Sequence, residues 1–220
     1  MAIGETAMTR ETFLAGILML SSMNAFGAAG AADAPVAADW QTKLQAVQSV
    51  VRHVFPREAA NAHYAPSIAA TADLSGTGKS EALVNLGSGG YTDDLTVMRL
   101  EGDVPVAARF QRKDEKVTPM VFQSGLSDGK GTAVELMPKD HAVFSGHWTV
   151  IGVKVKDCKG EAYQWDGSAK NFRFDKKLSK SMTRDFCPKV VAKLAAAVMA
   201  PAAPAAAAPG VPAAPVVAAP

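Results

Sequence analysis

Several features that mark particular classes of protein are scarce in this chain. Aromatic residues make up only 7% of its 220 positions and do not alternate with basic residues, and lysine and arginine form no long run. Surfaces that bind nucleic acid are usually strongly basic and often offer aromatic rings for stacking. With a net charge of only +2, the sequence predicts that the chain has no nucleic-acid partner.

The N-terminal apolar stretch is too short to span a membrane. Residues 13–20 are apolar, Arg10 precedes them, and small residues follow as far as position 32, whereas a membrane-spanning helix needs about 20 apolar residues. A short apolar run followed by small residues is typical of a secretory signal peptide. We therefore predict a signal peptide over residues 1–31, a mature chain without a membrane span, and a periplasmic or secreted location.

Cysteine is also rare, and both copies lie in the second half of the chain. Cys158 and Cys187 have no Cys-x-x-Cys or Cys/His cluster around them, which argues against a metal site. An even number of cysteines in an exported chain favours a disulfide. We predict that Cys158 and Cys187 are joined.

The apolar pattern changes from helical to strand-like along the chain. Helical spacing follows the candidate N-cap Asp39 and ends at Pro56; the apolar positions are Trp40, Leu44, Val47, Val51 and Val54. Residues 67–175 alternate between apolar and polar, with Gly and Asp at the turns. That pattern is typical of antiparallel strands.

The C-terminal part contains a second helical segment and then a biased tail. Pro188 is predicted to open a helix with an apolar face, and residues 200–220 consist mainly of alanine and proline without charge, which is typical of disorder. The prediction is one α+β domain over residues 39–199. Its antiparallel β-meander has about eight strands and is flanked by an N-terminal and a C-terminal helix.

One loop, residues 73–81, has the spacing of a cation-binding turn. Oxygen-bearing side chains occupy its first, third, fifth and ninth positions, namely Asp73, Ser75, Thr77 and Glu81, and Gly78 is sixth. Calcium loops place oxygen ligands at such alternating positions and need a residue that tolerates positive φ at the tight turn.

The segment Asp-Leu-Ser-Gly-Thr-Gly-Lys-Ser-Glu, followed by Ala-Leu-Val, resembles a degenerate calcium loop of FG-GAP and VCBS-type repeats in exported proteins. The aromatic-Asp-Gly motif that ends at Gly167 is similar to a turn found downstream in such chains. The resemblance implies weakly bound calcium held by Asp73, Ser75, Thr77, Glu81 and the carbonyl of Lys79, because only two of these ligands are charged. The alternative is a glycine-rich turn in which Asp73 and Ser75 bond the backbone.

Two functions remain open from the sequence. The preferred prediction is an exported, non-enzymatic interaction or structural module of the cell envelope, with a protein or glycan partner and no cofactor beyond weakly bound calcium. The alternative is a small exported serine hydrolase, because residues 125–129 match the Gly-x-Ser-x-Gly motif with Ser127 as nucleophile. That motif requires a strand-to-helix turn, whereas the residues after Ser127 predict a hairpin.

Overall fold

The computed structural model describes residues 38–60, 66–88, 91–152 and 154–199. The predicted signal peptide over residues 1–31 and the predicted tail over residues 200–220 lie outside the described residues. Within the described residues, no helix is both long and apolar enough to cross a membrane.

The predicted N-terminal helix is divided into three short helices. Helix α1 spans Ala38–Thr42, α2 spans Leu44–Val54, and α3 spans Pro56–Ala59. Pro56 ends α2 and also opens α3, since proline is well tolerated at the first position of a helix. The predicted apolar face is buried, with Trp40, Val47 and Val51 no more than 1% exposed.

Strands account for most of the remaining domain. Their bounds are β1 Ser67–Ala72, β2 Glu81–Ser88, β3 Thr92–Glu101, β4 Val104–Ala107, β5 Arg109–Gln111, β6 Val117–Pro119, β7 Phe122–Ser127, β8 Lys130–Met137, β9 Ala142–Ile151, β10 Lys154–Asp166 and β11 Asn171–Asp175. The predicted β-rich class is confirmed, and the predicted antiparallel pairing holds for most strands, with a parallel pair between β5 and β11. The predicted number of about eight strands is wrong, because the described residues form a sheet of eleven.

The sheet also departs from a simple meander, because its strands form a closed ring. The strand order is β1-β2-β3-β7-β8-β9-β10-β11-β5-β6, and β4 pairs with β3 beside β7. Strand β5 pairs in parallel with β11 and is separated from β4 by Ala108 alone. The ring therefore runs from β3 through β7 to β11, and returns to β3 through β5 and β4.

Strands β4 and β7 pair with different parts of the same edge of β3. Two hydrogen bonds stabilise the stretch of β3 between these two pairings. The backbone N–H of Ala108 donates to the carbonyl of Val97 over 2.9 Å. The Thr96 hydroxyl donates to the carbonyl of Met120 over 2.8 Å. These bonds satisfy polar groups that the regular ladder leaves unpaired, as buried backbone groups require.

Aromatic side chains fill the middle of the ring. Phe110 is fully buried and contacts three other rings, with centroid distances of 5.2 Å to Phe122, 5.5 Å to Tyr163 and 5.1 Å to Phe172. Aliphatic residues from the facing strands complete this cluster. Because Phe110 lies on β5 and Phe172 on β11, the same cluster packs across the parallel pair that closes the ring.

A long C-terminal helix, α4, covers the outer face of β8, β9 and β10. It spans Lys176–Met199, so the prediction that Pro188 opens it is wrong. Asp175 caps the start, accepting the N–H of Leu178 at 2.7 Å. Pro188 lies inside the helix, one residue after Cys187.

Close packing and a covalent bond hold α4 on the sheet. The ring of Phe186 lies over Gly146, where a Cβ atom would come within 2.4 Å of it. The predicted disulfide is present, because Cys158 on β10 and Cys187 on α4 are bonded with an S–S distance of 2.02 Å. The N-terminal helices pack on a different outer face, formed by β2, β3 and β4.

Candidate functional site

The five predicted calcium ligands lie in the loop after β1 and in the first residue of β2, Glu81. The carboxylates of Asp73 and Glu81 both accept hydrogen bonds from backbone N–H groups. Asp73 Oδ1 accepts the N–H of Thr77 at 3.2 Å, and Oδ2 accepts the N–H of Gly78 at 2.8 Å. The Ser75 hydroxyl lies 3.4 Å from Asp73 Oδ1 and 2.9 Å from the Thr77 hydroxyl. Gly76 and Gly78 both have positive φ, which lets the chain turn tightly around Asp73.

Glu81 is the buried anchor of this loop. Its side chain is 4% exposed, and Oε2 accepts the N–H of Leu74 at 2.7 Å and that of Ser75 at 3.3 Å. Burial raises the pKa of Glu81, although these hydrogen bonds partly oppose the rise. Leu74 is fully buried in the aromatic cluster. The Lys79 amino group lies 3.4 Å from the carbonyl of Gly102.

These contacts are the ones that the turn interpretation expects from Asp73 and Ser75. The described part of the chain contains no cluster of three or more His, Cys, Asp or Glu side chains arranged to hold a metal. Calcium binding by Asp73, Ser75, Thr77, Lys79 and Glu81 stays a prediction.

A cavity of about 610 Å³ lies at one end of the ring. We call it the polar cup. Its wall comes from β3, β7, β8, β9 and β10, and its lining residues are Thr92, Gln123, Ser127, Asp128, Lys130, Gly131, Thr132, His147, Trp148, Thr149, Asp157 and Lys159. Most of these residues carry hydrogen-bonding groups, unlike the aromatic cluster in the middle of the ring.

His147 lies in the wall of the polar cup and is held by its neighbours on β9 and β10. Its Nε2 atom lies 3.3 Å from the hydroxyl of the buried Ser145. Burial lowers the pKa of His147, Glu161 opposes this effect, and Lys159 adds to it. The imidazole of His147 is therefore neutral at pH 7 and offers both a hydrogen-bond donor and an acceptor.

A charged network separates the polar cup from the aromatic cluster. Lys113 donates to Glu161 Oε1 at 2.7 Å, and the Tyr163 hydroxyl donates to Glu161 Oε2 at 2.8 Å. Burial alone would raise the pKa of Glu161, but the hydrogen bonds from Lys113 and Tyr163 lower it. Burial and the carboxylate raise the pKa of Tyr163, so its hydroxyl stays protonated and keeps donating.

Ser127 lies at the end of β7, next to a two-residue hairpin turn. Asp128 and Gly129 have φ values of 50° and 72° and lead directly into β8. This is the hairpin expected from the sequence, and no helix follows Ser127 as a nucleophile elbow requires. Ser127, Asp128 and His147 nevertheless line the same cavity, while the described residues show no hydrogen bond between Ser127 and a histidine.

Comparison of the chain with protein-family models, curated proteins and solved structures gives no match. The resemblance to FG-GAP and VCBS-type repeats therefore stays a prediction from the loop residues.

Sequence reasoning missed the polar cup because its lining comes from five strands. The sequence of β8 does contain one signal of the polar cup. Val134 and Leu136 of this strand face the inside of the ring, and Thr132 stands two residues before Val134. Residues two apart face the same side of a strand. A polar residue in register with an apolar inner face therefore marks the point where the ring interior becomes polar. Thr132 Oγ1 is buried and has no hydrogen-bond partner among the described residues.

Proposed function

We propose that the chain is an exported, non-enzymatic interaction module of the cell envelope, and that the polar cup is its binding surface. The observation that carries this proposal is the contrast within the ring, where aromatic side chains fill the middle and hydrogen-bonding side chains line an open cavity at one end. Mouths of closed sheets are common ligand sites, because their loops and inner faces converge there. The disulfide supports export, since such bonds persist mainly in oxidising compartments.

The lining of the polar cup favours a partner surface that is polar and close to neutral. Lys130 and Lys159 are balanced by Asp128 and Asp157, and the other polar side chains include hydroxyls, an amide and an imidazole. Such groups both donate and accept hydrogen bonds. Glycans and uncharged polar protein segments have this chemistry, so the partner class remains a protein or a glycan.

The proposal is tested by filling the cavity. Thr149→Trp places a bulky ring in the wall of the polar cup, and Ser181→Trp makes a matched change on the exposed face of α4. Immobilised protein is incubated separately with envelope proteins and with isolated envelope polysaccharide. We expect wild type and Ser181→Trp to retain material that Thr149→Trp loses. Equal retention by all three proteins would show that the polar cup is not the binding surface.

The hydrolase alternative is kept because Ser127, Asp128 and His147 line one cavity. A fluorophosphonate probe modifies activated serine nucleophiles. Under the binding proposal the probe leaves wild type unlabelled. Labelling of wild type that disappears in Ser127→Ala would favour the hydrolase and reject the non-enzymatic proposal.

A further inference from the structure

We propose that a second cavity, the α2 cleft, binds the C-terminal carboxylate of an apolar peptide. This cavity has a volume of about 710 Å³ and lies between α2, strands β3 to β6 and the turn that joins β10 to β11. It does not share a lining residue with the polar cup. The inference therefore stands independently of the function proposed above.

Part of the lining of the α2 cleft is apolar and partly open to solvent. Its apolar lining residues include Val50 and Val54 of α2, Val106 of β4, and Val117 and Pro119 of β6. Val117 is 41% exposed, although it is a large aliphatic residue on a strand. A ligand with aliphatic side chains would remove this surface from water, which is favourable.

The same lining also carries positive charge, because Arg99 is the cross-strand partner of Val106 and Arg109 that of Pro119. Arg99, Arg109 and Lys170 line the cleft together with one carboxylate, Glu101, so three positive charges face one negative charge. Arg109 and Lys170 are exposed, and their side chains are within reach of a ligand. This charge balance is complementary to a carboxylate.

The guanidinium of Arg99 is held in a fixed orientation. It stacks on Trp165, with Cζ 4.9 Å from the ring centroid. Its Nη1 atom donates to Glu101 Oε1 at 3.2 Å and to the carbonyl of Lys170 at 3.4 Å. Both hydrogen bonds use one nitrogen, whereas a guanidinium carries five N–H donors in a planar fork that matches a carboxylate.

Asn171 contributes to the lining of the cleft a buried acceptor that the described residues leave unsatisfied. It is 7% exposed, lines the cavity, and follows the residue whose carbonyl Arg99 contacts. Its Oδ1 atom is buried and has no hydrogen-bond partner in the described part of the chain. A buried acceptor without a donor is costly. The last peptide N–H of a C-terminal peptide lies next to the carboxylate and supplies such a donor, whereas a fatty acid has none.

The test measures binding of acetyl-trileucine with a free C-terminal carboxylate, using its C-terminal amide and dodecanoate as comparisons. Isothermal titration calorimetry on the mature chain is suitable because no label is needed. We expect the carboxylate peptide to bind about tenfold more tightly than the amide, the effect of one charge-assisted contact. Equal affinity of the two peptides, or no binding of either at millimolar concentration, would overturn the proposal.

Matched variants locate the binding to the cleft. Arg109→Gln should reduce the preference for the carboxylate, and Arg112→Gln should preserve it, because Arg112 is also exposed but does not line the cavity. Asn171→Leu should weaken binding of the peptide and leave the affinity for dodecanoate unchanged. If dodecanoate binds as tightly as the peptide, the proposal that the ligand is a peptide is rejected. A carboxylate preference that Arg109→Gln leaves unchanged would reject the site.

Discussion

Replacing Glu81 tests how the loop between β1 and β2 is held. Glu81→Ala removes the acceptor of two backbone N–H groups, and the N–H of Leu74 lies in the buried core and cannot turn to water. Leaving a buried donor unpaired costs about 1–3 kcal/mol, and a hydrogen bond to a charged group contributes a similar amount. Since these terms overlap, we expect unfolding free energy to fall by about 3 kcal/mol. Glu81→Gln keeps an acceptor oxygen, so its loss should be about 1 kcal/mol.

The contribution of Glu81 to the free energy of unfolding should also depend on pH. Burial raises the pKa of Glu81 above its ordinary value of 4.5, so the native state holds this proton more tightly than the unfolded chain does. The resulting stability is present below pH 4.5 and is lost as the pH rises through the raised native pKa. Glu81→Gln should remove this part of the pH dependence. Subtracting the pH profile of the stability of Glu81→Gln from that of wild type cancels the contributions of the other carboxyl groups.

Urea unfolding with and without calcium completes the experiment. A loop with two charged ligands should bind calcium with a dissociation constant of about 1 mM or weaker, so 10 mM calcium would stabilise wild type by roughly 1.4 kcal/mol at most. Asp73→Ala and Glu81→Ala should both lose that response if the loop is a calcium site. If the loop is only a turn, both variants are destabilised and wild type does not respond to calcium. A stability of Glu81→Ala equal to that of Asp185→Ala, an exposed control on α4, would refute the anchoring role of Glu81.

Three further predictions concern the ring and its supports. Phe110→Ala should lower unfolding free energy by about 3–5 kcal/mol in urea titrations, because it empties the aromatic cluster; a loss below about 1 kcal/mol would contradict its central position. Replacing Cys158 and Cys187 together by serine should cost up to about 3.6 kcal/mol in the same assay, and an unchanged midpoint would show that the bond does not constrain the unfolded chain. Burial lowers the pKa of His147, so its stabilising contribution is complete above pH 6.5 and is lost as the pH falls below that value. His147→Asn should flatten the profile on the acid side of pH 6.5, and a profile identical to that of wild type would contradict this assignment.

Local signals in the sequence predicted much of the fold. The stripe that includes Trp40 and Val47 identifies the buried face of the N-terminal helices, and Asp128-Gly129 marks a hairpin turn that the structure contains. Both signals arise from neighbours in the chain. The disulfide also followed from counting alone, since only one pairing of two cysteines exists.

Features that depend on distant residues were not predictable in this way. Strand β9 is covered on both sides, with Phe144 and Trp148 against α4 and Val143 inside the ring, so it lacks the alternation that marks a half-exposed strand. Residues 149–155 fit the alternation predicted for residues 67–175, yet the chain turns at Gly152, where φ is 62°, between β9 and β10. The candidate site shows the same limit, because the turn contacts of Asp73 are local and the polar cup forms only when the ring closes.

The covalent bond between β10 and α4 also determines how the domain would carry a mechanical load. Tension applied between α1 and the end of α4 would pass from Cys158 directly to Cys187. The segment of chain between these two residues, which are 29 positions apart, would carry none of it. That shielded segment contains β11 and therefore the strand that closes the ring. In single-molecule pulling, reduction of the bond should release an additional contour length of about 100 Å. Only then would force reach the parallel pair of β11 and β5 from the C-terminal side.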